Sequence, residues 1–341
     1  MKLIKILNLF LVIASLVLLG GCNQNTATVF KNENSNPAYP VLVKDDSSPE
    51  ANLPIEGAYG ENSPHPLSIL FLGDVMFDRH IRQAAEKQGN DFIFEKIKNL
   101  LTESDLSVAN LEGPITDNKS VSVGSKIDTK NNFIFTFDPS LAKTLAAYQI
   151  KIVNLGNNHI FNFGAEGIAQ TKKYLDAAKV EHFGDISADN SETLTKEIDG
   201  LKLFFVNYNY AANGSRERAL ADIRETEEQS GVTIVYTHWG TEYRTGNPEP
   251  AIRNLAREFV DAGADLIIGA HPHVIQNSEE YQGKKIYYSL GNFIFDQYFS
   301  PETQKGLAVK VWVNPKDYTM EFQEIPLRMQ KNCQTVEITD N

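Results

Sequence analysis

Five short apolar segments, each ending in a side chain that can donate to a metal ion, constrain this chain more than any other feature. Leu67-Ser68-Ile69-Leu70-Phe71-Leu72 runs into Gly73-Asp74, and Ser107-Val108-Ala109 runs into Asn110-Leu111-Glu112. Ile150–Leu155 ends in Gly156-Asn157-Asn158-His159, and Val232–Thr237 ends in His238. The fifth, Ala264–Gly269, ends in Ala270-His271-Pro272-His273. Brief apolar runs bounded by turn-forming residues are the pattern of strands buried on both faces. Between them, apolar residues recurring every three or four positions predict helices over Arg79–Lys87, Phe92–Leu101, Leu141–Tyr148, Ala165–Ala178 and Pro250–Ala262. Another strand is predicted over Leu201–Asn207. Short strands follow near Val274–Gln276, Lys285–Tyr288, Leu307–Val313 and Tyr318–Glu324. The pattern is that of an α/β protein with a β-rich final portion. In open α/β sheets, ligand crevices form outside the carboxyl ends of the strands. Loops far apart in sequence are therefore expected to meet in one site.

The residues at those ends have a coherent chemistry. Asp74, Glu112, Asn158, His238, His271 and His273 form a mixed oxygen and nitrogen set. Such a set suits one or two divalent ions of the Mn, Zn or Fe type better than Ca or Mg, which prefer oxygen alone. Taken singly, each residue reads as a cap, a turn or a packed histidine. Recurrence at successive strand ends favours a common site. His271-Pro272-His273 is the most specific piece, because proline restricts the backbone between two imidazoles. His65, His80 and His182 lie outside the strand ends and read as surface or core residues.

The first 66 residues have a different character. Lys2 and Lys5 precede an apolar run, Leu9–Leu19, broken only by Ser15. It is shorter than the roughly 20 residues a bilayer-spanning helix needs, and suits the core of a signal peptide. Leu19-Gly20-Gly21-Cys22 resembles a bacterial lipobox. That resemblance implies removal of residues 1–21, lipidation at Cys22 and anchoring at the extracytoplasmic face of a bacterial membrane. Ordinary secretion and an uncleaved anchor are the alternatives. Residues 22–66 hold six of the fourteen prolines among Asn, Ser, Asp and Glu, and read as a tether. A folded domain is expected over 67–327, with a polar tail over 328–341. Cys333 is expected to be an unpaired thiol in that tail; two cysteines are too few for a disulfide scaffold. A formal net charge of −12 argues against nucleic acid as a partner, since phosphates call for basic surface.

Six blocks in order carry a family resemblance. They are Gly73-Asp74-Val75-Met76, Asn110-Leu111-Glu112-Gly113-Pro114 and Asn157-Asn158-His159, followed by His238-Trp239-Gly240-Thr241-Glu242-Tyr243, Gly269-Ala270-His271-Pro272-His273 and Tyr288-Ser289-Leu290-Gly291-Asn292-Phe293. The set resembles the CapA-type poly-γ-glutamate capsule biosynthesis proteins, within the calcineurin-like metallophosphoesterase superfamily. The resemblance implies a four-layer α/β/β/α sandwich of metallo-dependent phosphatase type, with two mixed sheets flanked by helices. It implies Asp74 and His273 on a first metal, Glu112 bridging, and Asn158, His238 and His271 on a second. His159 resembles the histidine that protonates a leaving group, with Asn162 as its hydrogen-bond partner. Three departures stand out. Met76 occupies the place of an imidazole ligand, leaving the first site weak, empty or completed by Asp78 or Asn110. Asn162 stands where an aspartate is usual and cannot supply the charge that raises an imidazole pKa. Ala270 extends the Gly-His-x-His motif by one residue.

The function implied is that of a membrane-anchored extracytoplasmic protein in the biosynthesis, export or trimming of an anionic capsular polymer, poly-γ-glutamate. A surface-anchored metal-dependent phosphoesterase and a non-catalytic binding subunit are the alternatives. The expected partners are an anionic polymer or phosphoester and membrane synthase or export subunits. Arg79, Arg82 and Arg244 lie near the motif loops and are candidates to bind the anion. Trp239 and Tyr243 either line the cleft or pack beneath it.

Overall fold

The computed structural model describes residues 65–185 and 193–339. The leader, Cys22 and nearly all of the expected tether lie outside them. The chain enters at β1 (Leu67–Val75) and passes through α1 (Arg79–Gln88), α2 (Asn90–Phe94) and α3 (Lys98–Thr102) to β2 (Leu106–Leu111). It continues through α4 (Ser140–Ala147), β3 (Ile150–Asn154), α5 (Gly164–Ala178) and β4 (Glu181–Phe183). Strands β1 to β4 are parallel, as helical crossovers require. A second sheet follows, from β5 (Leu194–Ile198), β6 (Leu201–Asn209), α6 (Ser215–Glu227) and β7 (Val232–His238) to α7 (Pro250–Asp261) and β8 (Leu266–Ala270). A hairpin of β9 (Ser278–Tyr281) and β10 (Lys284–Tyr287) completes it in the order β5-β6-β7-β8-β10-β9. The chain then returns to the first sheet. There β11 (Asn292–Ile294) pairs with the end of β1 on the edge away from β2, and β12 (Lys305–Val313), β13 (Met320–Met329) and β14 (Thr335–Glu337) build outward from that same edge.

Side-chain alternation along the strands creates the layers. Leu70 and Leu72 of β1 join an apolar cluster with Ile81, Leu101, Leu145 and Leu175 of the helices. Ile69 and Phe71 point the other way and pack with Leu203, Ile234, Tyr236 and Ile268 of the second sheet. Val235 and Ile267 pack with Ile223 and Phe259 of α6 and α7 on the far side. The architecture is the expected α/β/β/α sandwich of two mixed sheets. Tyr236, buried between the sheets, donates its hydroxyl to the carbonyl of Leu72 and ties one sheet to the other.

Several local expectations change. The helix read over Phe92–Leu101 is broken into α2, a 3₁₀ turn at Glu95–Ile97 and α3. Helix α6 was not legible, because its sequence is mostly charged and its apolar stripe is little more than Ala219, Leu220 and Ile223. The parallel pairing of β6 with β7 nonetheless demands a crossover there. Val274–Gln276 forms isolated bridges rather than a strand. The residues after Leu327 are part of the sheet rather than a trailing tail, with β13 running to Met329 and β14 pairing with it. Cys333 is buried, its Sγ 3.5 Å from the carbonyl oxygen of His80. The polar side chains of this segment find partners in the body of the protein, as when Gln334 Nε2 donates to the Phe92 carbonyl at 2.8 Å.

Gly269 tests the packing that sets the site. A Cβ there would lie 2.1 Å from the Tyr288 carbonyl oxygen and 2.8 Å from Trp239 Nε1, which itself donates to that oxygen. Gly269→Ala is expected to destabilise the metal-free protein by at least about 2 kcal/mol, since backbone cannot yield as a side-chain tip can. Urea unfolding measures this. An unchanged midpoint would contradict the close approach.

Candidate metal centre

Parallel strands deliver their carboxyl ends to one edge, and both sheets contribute. Asp74 lies near the end of β1, Glu112 directly follows β2, and Asn158 and His159 follow β3. His238 is the last residue of β7, and His271 and His273 follow β8. Asp74, Glu112, His238, His271 and His273 are buried, and Asn158 and His159 are partly so. His271 and His273 take positive φ values of 96° and 57°, unusual for side chains of this size and typical of functional turns.

The first sheet is joined to the second through Asp74. Its Oδ1 accepts from Asn110 Nδ2 at 2.8 Å, and its Oδ2 accepts from the His271 backbone N–H at 3.3 Å. The same Oδ2 lies 3.2 Å from His273 Nδ1. Glu112 Oε1 lies 3.6 Å from His273 Nε2 and 3.8 Å from His159 Nε2. Neither oxygen of the Glu112 carboxylate has a hydrogen-bond partner, although both are buried. His238 Nε2 lies 2.9 Å from Asn158 Oδ1, and its ring is centred 4.6 Å from that of His271. His271 Nδ1 is also buried and unpartnered.

Such a cluster fits a divalent cation. A buried carboxylate without donors is costly unless a positive charge meets it. Donor atoms of Asp74, Glu112 and His273 lie within 4.8 Å of one another, as do those of Glu242, His271 and His273. Burial pushes the Glu112 carboxyl well above the ordinary carboxylate range, and repulsion from Asp74 and Glu242 adds to it. Burial also holds His159 down at about 4 and His271 at about 3, and keeps His238 well below its ordinary value. These three imidazoles are therefore neutral at pH 7, the form that ligates metals.

The remaining expectations divide. Asn162 Oδ1 accepts the Phe135 backbone N–H at 2.7 Å and lies 3.2 Å from His159 Nδ1, the expected pairing. Met76 is fully buried in the helix-side core, and its sulfur accepts the Asp78 N–H at 3.1 Å. Asp78 does not complete the site. Its carboxylate caps α1 by accepting from Arg79 N–H, accepts also from Thr136 N–H, and faces Arg82 at 3.4 Å. Arg82 is thereby turned away, donating to the Thr136 carbonyl and lining a separate polar cavity of about 710 Å³. Arg79 is bonded to Asp296 and lies over the rings of Phe135 and Phe295, the rings that also pack on His159 and His273. Its guanidinium is a support behind the site rather than an open anion hook. Arg244 is exposed, donating to the Asn247 carbonyl on the loop after β7. Trp239 is buried and packs, whereas Tyr243 is exposed with its ring 6.1 Å from that of His273.

Sequence reasoning gave no role to Asn292 or Tyr210, and to Asn110 only that of a possible extra ligand. Asn110 donates to Asp74, and its Oδ1 accepts from Asn154 and Asn157, so it orients the aspartate and has no oxygen to spare for a metal. Asn292 Oδ1 lies 3.0 Å from His273 Nδ1 and aims that ring. Both lie inside the motif blocks, which was the available signal. Tyr210, with its ring 4.7 Å from His271, carried none.

The depressed His159 pKa has a thermodynamic consequence. In the unfolded chain this imidazole binds a proton below about 6.5, while in the fold it resists one until about 4. Its contribution to stability is therefore lost as pH falls from about 6.5 to about 4 and is constant below that. His159→Gln removes the penalty. In chelator, its stability relative to the parent is expected to improve by about 1–2 kcal/mol between pH 6.5 and 5. Urea unfolding at the two pH values reads the difference, and a pH-independent difference would refute the burial of a neutral imidazole.

Comparison with known proteins places the chain in a family. The family model of the bacterial capsule synthesis protein PGA_cap matches residues 68–297. The PGA biosynthesis protein CapA of Bacillus subtilis is 31% identical over 281 residues, spanning 76% of this chain and 71% of that protein. The capsule biosynthesis protein CapA of Bacillus anthracis is 29% identical over 311 residues, spanning 83% of this chain and 71% of that one. Among solved structures, the NAD nucleotidase of Haemophilus influenzae has a TM-score of 0.43 and 12% identity, covering 80% of this chain and 60% of its own, a likeness too slight to bear on chemistry. The match extends over the strands and loops that build the centre, and the chain belongs to the bacterial capsule synthesis protein family, PGA_cap.

Proposed function

We propose that this chain binds an anionic polymer of the poly-γ-glutamate type through a divalent metal centre, at the extracytoplasmic face of a bacterial membrane, and serves there in assembly, export or trimming of the polymer. The single observation that carries the reading is the Glu112 carboxylate, buried and unbonded among Asp74, His273 and His159. A chain of net charge −12 repels a polyanion at long range, so local positive charge is needed where the two meet. Asp74, Glu112 and His273 would hold one ion, and Asn158, His238 and His271 supply donors for a neighbouring one. The mixed donor set favours Mn, Zn or Fe. A bound ion supplies positive charge and Lewis acidity to a carboxylate, carbonyl or phosphoryl oxygen.

The chain's own groups favour holding a ligand over acid-catalysed cleavage. The Asn162 oxygen is fixed by the Phe135 N–H, so the proton of neutral His159 belongs on Nδ1. Nε2 is left as an acceptor facing Glu112. With a pKa of about 4, His159 is a poor proton donor near neutrality. This supports a binding subunit as the second reading. Exposed Tyr210, Tyr243 and Arg244 offer surface at the mouth for a polymer backbone. Anchoring through Cys22 rests on the lipobox-like Leu19–Cys22.

Two experiments test this. The purified chain is expected to retain a transition metal, in less than the amount that fills two sites, and His238→Ala to retain less. Calorimetry with poly-γ-glutamate is expected to show binding that a chelator abolishes. Absence of metal from the parent, or polymer binding indifferent to chelation, would refute the metal-bridged reading. Cys22→Ser is expected to move the protein from the membrane fraction to the soluble one, and unchanged fractionation would refute the anchor.

A further inference from the structure

Glu242 stands on the loop that follows β7, and the ligand pattern described above gives it no part. Its carboxylate lies within 4.8 Å of donor nitrogens of both His271 and His273. The loop is held there by its backbone. The N–H of the next residue, Tyr243, donates at 2.8 Å to the carbonyl of Pro272, the residue between those two histidines. Gln276 Nε2 donates to the Arg244 carbonyl at 2.8 Å, and Asn277 N–H donates to the Gly246 carbonyl at 2.9 Å. Two independent features point to a ligand. His271 Nδ1 and both Glu112 oxygens are buried and have no partner. The guanidinium that reaches this region, Arg79, is bonded to Asp296 and leaves the carboxylates uncompensated.

We propose that Glu242 is a metal ligand, closing the centre from its exposed side by joining His271 and His273 beside the set of Asp74, Glu112 and His273. The inference rests on the reading that this centre binds a divalent ion. Asp74, Glu112 and His273 offer three donors, whereas Zn, Mn and Fe take about four to six. Met76 adds none, because its sulfur is directed to the Asp78 N–H. A carboxylate from the loop, standing with His271 and His273, adds a donor on that side of the centre and the charge that an imidazole would not. Its exposure places it where it could release one coordination position to an incoming carboxylate without disturbing the buried set.

The test is Co²⁺ binding to the full-length chain, followed by calorimetry and by the visible absorption of the bound ion, in parent and E242Q. The isosteric change at an exposed position keeps the fold, which circular dichroism in chelator checks. E242Q is expected to weaken Co²⁺ at least about tenfold and to alter the spectrum, because a ligand has been exchanged. Equal affinity and superimposable spectra would overturn the inference and leave the proposed function standing. Weaker binding with an unaltered spectrum would also overturn it, since Glu242 would then act only through its field. A parent that binds no Co²⁺, Mn²⁺ or Zn²⁺ would refute the underlying metal reading and this inference with it.

Discussion

The Glu112 carboxylate, buried with neither oxygen hydrogen-bonded, is the group around which the rest of this edge of the molecule is arranged. Desolvating an anion without donors costs several kcal/mol unless an opposite charge is near. Among the described residues no arginine or lysine is bonded to it, and the nearby Arg79 is taken up by Asp296. His159, kept neutral by burial, and His273 stand beside the carboxylate, while carboxamides, which have no proton to gain or lose, hold the neighbouring Asp74. Asn110 links Asp74 to Asn154 and Asn157, and Asn154 Oδ1 accepts from Asn207 Nδ2 on β6 of the other sheet at 2.9 Å. This chain of amides spans both sheets and holds the aspartate in one orientation whatever the pH. A cation is the partner such a site is shaped to receive.

Two residues in or beside the motif blocks bear on what the centre can do. Met76 is part of the hydrophobic core beneath α1 rather than an empty ligand position, so the loss of an imidazole there is built into the packing. Asn162 preserves the geometry of the His159 contact while withholding the charge that would make the ring an acid. The chain's membership of the capsule synthesis family is the context in which the proposed role is set.

Much of the sandwich could be read in advance where strands are apolar on both faces, as at Ile69–Leu72 and Ile234–Val235, because burial on both sides leaves no alternation to confuse. Helix α6 was hidden because a crossover helix covering only a narrow strip of sheet needs few apolar residues. The final segment looked like a tail because its side chains are polar, yet Gln334 and Thr335 donate to the carbonyls of Phe92 and Phe293 in the body of the fold. Composition alone cannot distinguish a solvated polar segment from a satisfied one.

The sequence by itself placed the candidate donors, since Asp74, Glu112, Asn158, His238, His271 and His273 lie at or just beyond the carboxyl ends of strands and parallel strands end at a common edge. It also showed that those donors mix oxygen and nitrogen. Only the tertiary structure decided which neighbours serve that set. Asp78 and the three arginines were equally placed along the chain, but side-chain direction and competing hydrogen bonds took Asp78, Arg79 and Arg82 elsewhere. Asn292 and Tyr210 were brought to His273 and His271 from distant elements. Spacing along a strand fixes which end a residue occupies, whereas the direction of a side chain beyond that end is set by whatever packs against it.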